Sequence, residues 1–96
     1  MTQLHMVYQT AVDMEQRLNS AVAELQELIT DMENLANAME QGDLLGAAGE
    51  AFAQGIRGPL TNGINQLIEG YQDGARYVRQ EIDDMKAAES QSAGLF

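Results

Sequence analysis

The side chains that could support acid–base or metal chemistry in this sequence are one histidine and fifteen carboxylates. His5 has no second histidine with which to bind a metal ion, and the Glu-x-x-His motif of two-metal helical bundles does not occur. Asp83 and Asp84 are adjacent, but neighbouring helical residues point about 100° apart, so these carboxylates do not converge. Cysteine is absent, which excludes disulfides and thiolate metal sites. We therefore expect no enzyme, no metal and no cofactor, and a solvated His5.

The glycines between positions 42 and 49 resemble a phosphate-binding loop in composition only. No Lys or Arg accompanies them, and the sequence has no Gly-x-x-x-x-Gly-Lys motif. We therefore expect no small-molecule ligand at this place or elsewhere in the chain.

Charge narrows the range of partners. The chain has five basic and fifteen acidic residues, which gives a formal net charge of −10. Nucleic acid and anionic lipid both attract basic surfaces, so we expect neither as a partner. An acidic mimic of nucleic acid, which would bind a basic protein, stays open as an alternative. The sequence has no apolar run of about 20 residues, and its first residues lack the pattern of a cleavable signal peptide.

The elements that must position any site are helical. Apolar residues recur from Leu4 to Met39 at alternating intervals of three and four, the a and d pattern of a helix packed along its length. This pattern predicts helix 1 over about residues 4–40. Residues that lie beside the seam widen it, as in a bundle: Tyr8, Val22, Ile29 and Ala36.

A second helical pattern follows a turn. Gln41-Gly42-Asp43 interrupts the first pattern, so we place the turn at residues 41–46. Apolar residues then recur at helical spacing from Phe52 to Met85, which predicts helix 2 over about residues 47–86.

Two features modify the second helix. Pro59 removes a backbone donor and disfavours helical geometry at Gly58. We expect a kink at 58–59, with a break into two segments as the alternative. The apolar periodicity ends after Lys86, so we expect a flexible tail over residues 87–96.

Two long helices joined by a short turn run antiparallel. We therefore predict an all-α fold, a helix-turn-helix hairpin over residues 1–86. A lone hairpin leaves a larger exposed apolar patch than soluble monomers tolerate, so we expect it to dimerise into a four-helix bundle. The predicted centre of the dimer interface consists of Leu18, Leu25, Leu28 and Met32. Leu25→Asp or Leu28→Asp is expected to abolish dimerisation, because either change buries an unpaired charge.

Three short segments occur in an informative order. The turn region reads Leu44-Leu45-Gly46-Ala47-Ala48-Gly49, helix 2 contains Tyr77-Val78-Arg79-Gln80-Glu81, and the chain closes on Gly94-Leu95-Phe96. With these segments on an acidic helical hairpin, the chain resembles the WXG family, the small Esx-type, early-secreted-antigen-like proteins that bacterial type VII secretion exports. The resemblance is greatest to the culture filtrate antigen subunit of that family. It covers the whole chain in architecture and these segments in motif.

The resemblance implies a secreted protein that leaves the bacterial cytoplasm as a folded dimer, without a cleavable signal peptide. It implies that Tyr77 and Glu81 form a Tyr-x-x-x-Glu export signal on helix 2. It also implies that Leu95 and Phe96 dock in a pocket of the secretion motor ATPase. The stable partner would be an Esx-type chain.

The sequence departs from the family pattern at Leu44, which stands where the Trp of the Trp-x-Gly turn motif is expected; Gly46 keeps the glycine. Loss of the indole removes a large aromatic group with a hydrogen-bond donor. If the export surface uses this group, the chain must take it from a partner or do without it. This departure and the repulsion between two chains of charge −10 favour a different partner chain over a second copy, and both remain open.

Each motif also has an ordinary interpretation. Tyr77 and Glu81, at i and i+4, could be a common helix surface pair. The Gly-Ala-Ala-Gly segment also suits a close helix crossing, and Leu95-Phe96 could be a free end. On this interpretation the chain is an intracellular homo-oligomeric helical-bundle adaptor or scaffold.

Overall fold

The computed structural model describes residues 2–43 and 46–94, and all regular structure in that part of the chain is helical. Helix α1 covers Thr2–Ala38, α2 covers Ala47–Gly55 and α3 covers Thr61–Gly94. The predicted all-α class is confirmed over these residues, and the long helices are consistent with a helical hairpin.

Two glycines shape the turn after α1. The chain leaves helical geometry at a kink within Met39–Asp43, where Gly42 takes a φ of 134°. Gly46, directly before α2, has φ 77° and ψ −150°, a backbone region that is nearly restricted to glycine. The Glu50 amide then donates to the Gly46 carbonyl at 3.2 Å and closes the first turn of α2.

Pro59 lies in a π-type turn over Ile56–Leu60 that joins α2 to α3 without loss of helical geometry on either side. The wider turn changes the hydrogen-bond pattern around the missing proline donor. The Ile56 carbonyl accepts from the backbone N–H of Thr61 and also from Thr61 Oγ1, the latter at 2.6 Å. This second bond helps to satisfy the backbone at the irregular turn.

Helix α3 extends to Gly94, eight residues beyond the helix end that the periodicity predicts at residue 86. It therefore includes residues 87–94 of the expected tail. Leu95 and Phe96 lie outside the described residues.

The chain packs as two compact units, and each combines a segment of α1 with a later segment. The first unit consists of Met1–Ala21 and Tyr71–Phe96, and the second is Val22–Gly70. In the second unit, the Arg57 guanidinium bonds Glu40 and Asn37.

The helical segments of the first unit run antiparallel. The Lys86 ammonium lies 5.4 Å from the centre of the Tyr8 ring, while Arg79 pairs with Glu15. As the residue number rises along α1, the number of the contacting residue falls along α3. Ile82 and Ala75 of α3 are buried in this unit.

The second unit has a core built from residues of α1, α2, the turn after α2, and α3. It includes fully buried Ala36 of α1 and Ala53 of α2, whose small side chains allow close packing of the helices. Leu25 and Ile29 pack against this core from α1. The other buried members are Val22, Met32, Ile56, Ile64 and Ile68.

Candidate functional site

The described residues offer surfaces for binding. Within residues 2–43 and 46–94 no group of three or more His, Asp or Glu side chains is arranged to hold a metal ion. The helices in this part of the chain are also not apolar over a length that would cross a membrane.

An apolar groove lies between α1 and α3 of the first unit. Its volume is about 440 Å³. Met6, Val7 and Met14 form its α1 side, and all three side chains are substantially exposed. Methionine is flexible and polarizable, so such a surface adapts to an apolar partner. The remaining lining residues are Thr10, Ala11, Tyr77, Val78 and Glu81.

Both residues of the predicted export signal border this apolar groove. Tyr77 and Glu81 are one helical turn apart on α3, and both side chains are exposed. Among the residues whose exposure the structure describes, Tyr77 is the most exposed of the large apolar and aromatic side chains, at 67%. A receptor could therefore contact its ring and hydroxyl without unfolding the helix.

A polar groove of about 500 Å³ lies between the same helical segments. It shares no residue with the apolar groove. Met14 and Val78 line the apolar groove, while the next residues, Glu15 and Arg79, line the polar one. Because consecutive helical residues point about 100° apart, the grooves lie on opposite sides of this helix pair. The polar groove is completed by Asn19, Gln72, Ala75, Arg76 and Gln80.

A two-pronged ion pair crosses the polar groove. Arg79 Nε donates to Glu15 Oε2 at 3.0 Å, and Arg79 Nη2 donates to Glu15 Oε1 at 2.5 Å. Arg79 Nη1 also lies 3.6 Å from Asp83 Oδ1. The hydrogen bonds from Arg79 hold the pKa of the Glu15 carboxyl below its ordinary value, against the opposing effect of partial burial. The hydrogen bonds to Glu15 likewise raise the pKa of Arg79.

The second unit carries a row of exposed leucines, which we term the leucine edge. Leu28 and Leu35 lie on α1, where Leu28 is 43% exposed although Met32, one turn later, is 7% exposed. Leu60 and Leu67 belong to the segment that packs against α1. Together they leave this unit with exposed apolar surface, which is costly to keep in water.

Helix geometry places the two halves of the leucine edge on one side. Leu28 and Leu67 each precede by one residue a side chain that packs into the core, Ile29 and Ile68 respectively. In an antiparallel pair of helices, residues that come one position before a core residue lie on the same side of the pair, whichever helix they belong to. The apolar groove of the first unit follows this rule, since Tyr77 directly precedes Val78 there and Val7 directly precedes Tyr8.

The four residues predicted for the dimer interface differ in their surroundings. Met32 is buried, and half-buried Leu25 packs against the core of the second unit. Leu18 is half-buried in the first unit and approaches Gly74. Leu28 alone among the four is exposed and therefore accessible to another chain.

The remaining predicted site residues divide between described and undescribed positions. Gly46 lies in the turn, with the unusual backbone angles given above. Leu44, Leu95 and Phe96 lie outside the described residues.

Glu15 and Arg79 were not singled out by the sequence as a pair. They are 64 positions apart, so local spacing does not connect them. One signal does point to Glu15, because it stands seven residues from both Tyr8 and Val22 in the series that widens the helix 1 seam. A carboxylate among such residues needs a partner.

Comparisons with protein-family models, with curated proteins and with solved structures found no match to this chain. The likeness to the WXG family therefore rests on the acidic helical hairpin and on the sequence segments around Gly46, Tyr77 and Phe96.

Proposed function

We propose that this protein is a small substrate of a bacterial type VII secretion system, exported as a folded complex with an Esx-type partner chain. The complex is a four-helix bundle. The observation that carries the proposal is the position of Tyr77 and Glu81, exposed on α3 and bordering the apolar groove of the first unit.

The geometry of Tyr77 supports a role in recognition. A tyrosine in a helix that serves only its own fold usually buries its ring or covers an apolar neighbour. Tyr77 is instead largely open to solvent, while Glu81 offers a carboxylate one turn further along the same face. A receptor can read both groups together as an aromatic hydroxyl and an acid at fixed spacing.

Exposed apolar residues support the proposal that a partner chain completes the bundle. Each unit leaves apolar side chains uncovered next to its helix contact, at Met6 and Val7 in the first unit and at Leu28 and Leu35 in the second. All four lie on α1, and Val7, Leu28 and Leu35 belong to its heptad pattern. A bundle partner would remove them from water, and burial stabilises by about 25 cal/mol per Å² of apolar surface.

We also propose a transient partner, which binds residues 95 and 96. Leu95 and Phe96 follow directly after α3, and by the family resemblance they dock in a pocket of the secretion motor ATPase. Two large apolar groups that follow a helix can occupy a groove without disturbing the bundle.

The proposal is tested by export. The full chain is produced in a bacterium with a type VII system and in the same strain without the motor ATPase, and the culture medium is assayed beside a cytoplasmic marker. We expect the chain in the medium only when the ATPase is present. Deletion of residues 94–96 should retain it in the cell.

The competing function is an intracellular helical-bundle adaptor, because exposed leucines suit that role equally well. Retention of the chain in both strains would contradict the secretion proposal, whereas ATPase-dependent export that ignores the tail and Tyr77 would contradict the assigned export signals. The first result would favour the adaptor.

A further inference from the structure

We propose that the leucine edge of the second unit binds a helix of a different protein whose apolar stripe is flanked by Lys or Arg, and does not bind a second copy of this chain. The inference rests on the proposed function, because it names the chemistry of the partner on which that function depends. It follows from the charges around Leu28, Leu35, Leu60 and Leu67.

The second unit is strongly acidic. Residues 22–70 contain eight acidic residues and one basic residue, a formal charge of −7. The single base, Arg57, already bonds Glu40 and Asn37. This unit therefore offers carboxylates, and no further cation, to an approaching chain.

Two of these carboxylates flank the leucine edge. Glu24 lies four residues before Leu28, and Asp31 lies three residues after it and four before Leu35. Residues at these spacings are neighbours on a helix surface, and both acidic side chains are exposed. Charges that flank an apolar seam set the choice of partner in helical assemblies.

A second copy has no complementary charge to present. In a twofold dimer the same surface meets itself, so Glu24 and Asp31 would face an identical acidic surface. The part of α1 in this unit, residues 22–38, has no Lys or Arg, and residues 60–68 have no charged side chain. Like charges at such an interface disfavour the wrong partner. A helix with flanking Lys or Arg would instead form ion pairs at both positions.

Two glycines beside the leucine edge support a helix as the bound partner. Gly63 lies between Leu60 and Leu67, and Gly70 follows one turn after Leu67. A Cβ built at either glycine meets nothing within 4 Å in this chain. Packing within the chain therefore does not explain why glycine stands at these helical positions. Close approach of a second helix backbone would explain it.

The test uses two labelled synthetic helices of about four heptads, both with Leu at the seam, and with either Lys or Glu at the flanking positions. Binding to the full chain is measured by fluorescence anisotropy at about 50 mM and 500 mM NaCl. We expect the Lys peptide to bind at least about tenfold more tightly than the Glu peptide at low salt. The difference should shrink at high salt.

Matched variants separate the edge from general charge attraction. Glu24→Gln with Asp31→Asn removes two charges beside the leucines. Glu33→Gln with Glu69→Gln removes two from the other side, since each of these follows a buried residue, Met32 or Ile68. The first pair should weaken Lys-peptide binding by about tenfold and the control pair by less than about threefold. Circular dichroism of each variant checks that it is folded.

Three results would overturn the inference: neither peptide binds, the two double variants weaken binding equally, or the chain alone forms a dimer that Leu28→Asp dissociates. The last result would identify a second copy as the occupant. These measurements are independent of the export assay. If the chain is exported in an ATPase-dependent way, the secretion proposal therefore stands even when one of these results overturns the inference. Charge-selective peptide binding without export would instead support the inference and contradict secretion.

Discussion

Arg79 on α3 donates two hydrogen bonds to the carboxylate of Glu15 on α1, of 3.0 Å and 2.5 Å. A planar guanidinium that meets a carboxylate in this way fixes position along and around both helices. Met14 precedes Glu15 by one residue and Tyr77 precedes Arg79 by two, so the pair also sets the alignment of the apolar groove on the opposite side. The ion pair in the polar groove thus helps to fix the geometry of the apolar groove, where we propose that a receptor binds.

The Glu15–Arg79 pair predicts a pH dependence of stability. Because the pKa of Glu15 is held below its ordinary value of 4.5, its contribution is present above that pH and is lost as the pH falls through the lower, folded-state pKa. Glu15→Gln should lower the Tm at neutral pH and flatten the fall in Tm on acidification below about pH 4.5. Asp13→Asn is the control, since that carboxylate is 59% exposed in its pair with Arg17, against 17% for Glu15. Equal effects of both changes on the Tm would contradict a specific role for Glu15.

Neighbouring residues of the second unit should differ sharply in their effect on stability. Ile68 is 7% exposed and belongs to the core, whereas Leu67 is 50% exposed on the leucine edge. Ile68→Ala should lower the free energy of unfolding of the isolated chain by about 2–4 kcal/mol, and Leu67→Ala by less than about 1 kcal/mol. Urea unfolding followed by circular dichroism measures both. A larger loss for Leu67→Ala would show that the edge is buried within the chain.

Two glycines should respond to alanine with opposite signs. Gly70 lies in a helix with open space at its Cβ position, so Gly70→Ala should raise the free energy of unfolding by up to about 1 kcal/mol. Gly46 has a positive φ of 77° before α2, so Gly46→Ala should lower it by about 1–3 kcal/mol. The same urea experiment measures both values. Stabilisation by Gly46→Ala would contradict the turn geometry.

A charge on the leucine edge should prevent assembly without unfolding the chain. Leu28→Asp places a carboxylate where the partner helix packs, which is costly in a buried seam. We expect the Tm of the isolated chain to change little and binding of the Lys-flanked peptide to be lost. Gln26→Asp adds the same charge at an exposed position two residues away and should leave binding nearly unchanged. Retained binding by Leu28→Asp would exclude this edge as the binding surface.

Leu25→Asp is expected to behave differently from Leu28→Asp. Leu25 packs against the core of the second unit, so the charge should lower the stability of the chain itself. The loss of assembly by this variant therefore carries no information about the interface.

The spacing of apolar residues was sufficient to predict the all-α class, but it did not show which residues pack within the chain. Met32 and Leu28 belong to one heptad seam, yet the first is buried and the second is exposed. The seam is wider than one helix contact. The residues beside it, Val22 and Ala36, are buried with Met32, and this leaves Leu28 outside. A local pattern gives the width of an apolar stripe, while the partner helix decides which part of it is covered.

The surroundings of Tyr77 needed the folded chain. Its spacing to Glu81 is local and was visible in the sequence, but Met6 and Val7 come from the other end of the chain. Their approach depends on the register of two helices, and no local spacing encodes that register. For the same reason the ion pair between Glu15 and Arg79 was not predicted.

Export of single tyrosine variants tests the central claim most directly. Tyr77→Ala and Tyr71→Ala are compared with the unaltered chain in a bacterium that carries a type VII secretion system, as the fraction of each protein found in the culture medium. Tyr71 is the matched control, because it is an exposed tyrosine on the same helix, at 37% exposure against 67% for Tyr77. We predict that Tyr77→Ala lowers the exported fraction at least about tenfold, the loss of roughly one good recognition contact, while Tyr71→Ala exports normally. Equal export of all three proteins would contradict the account.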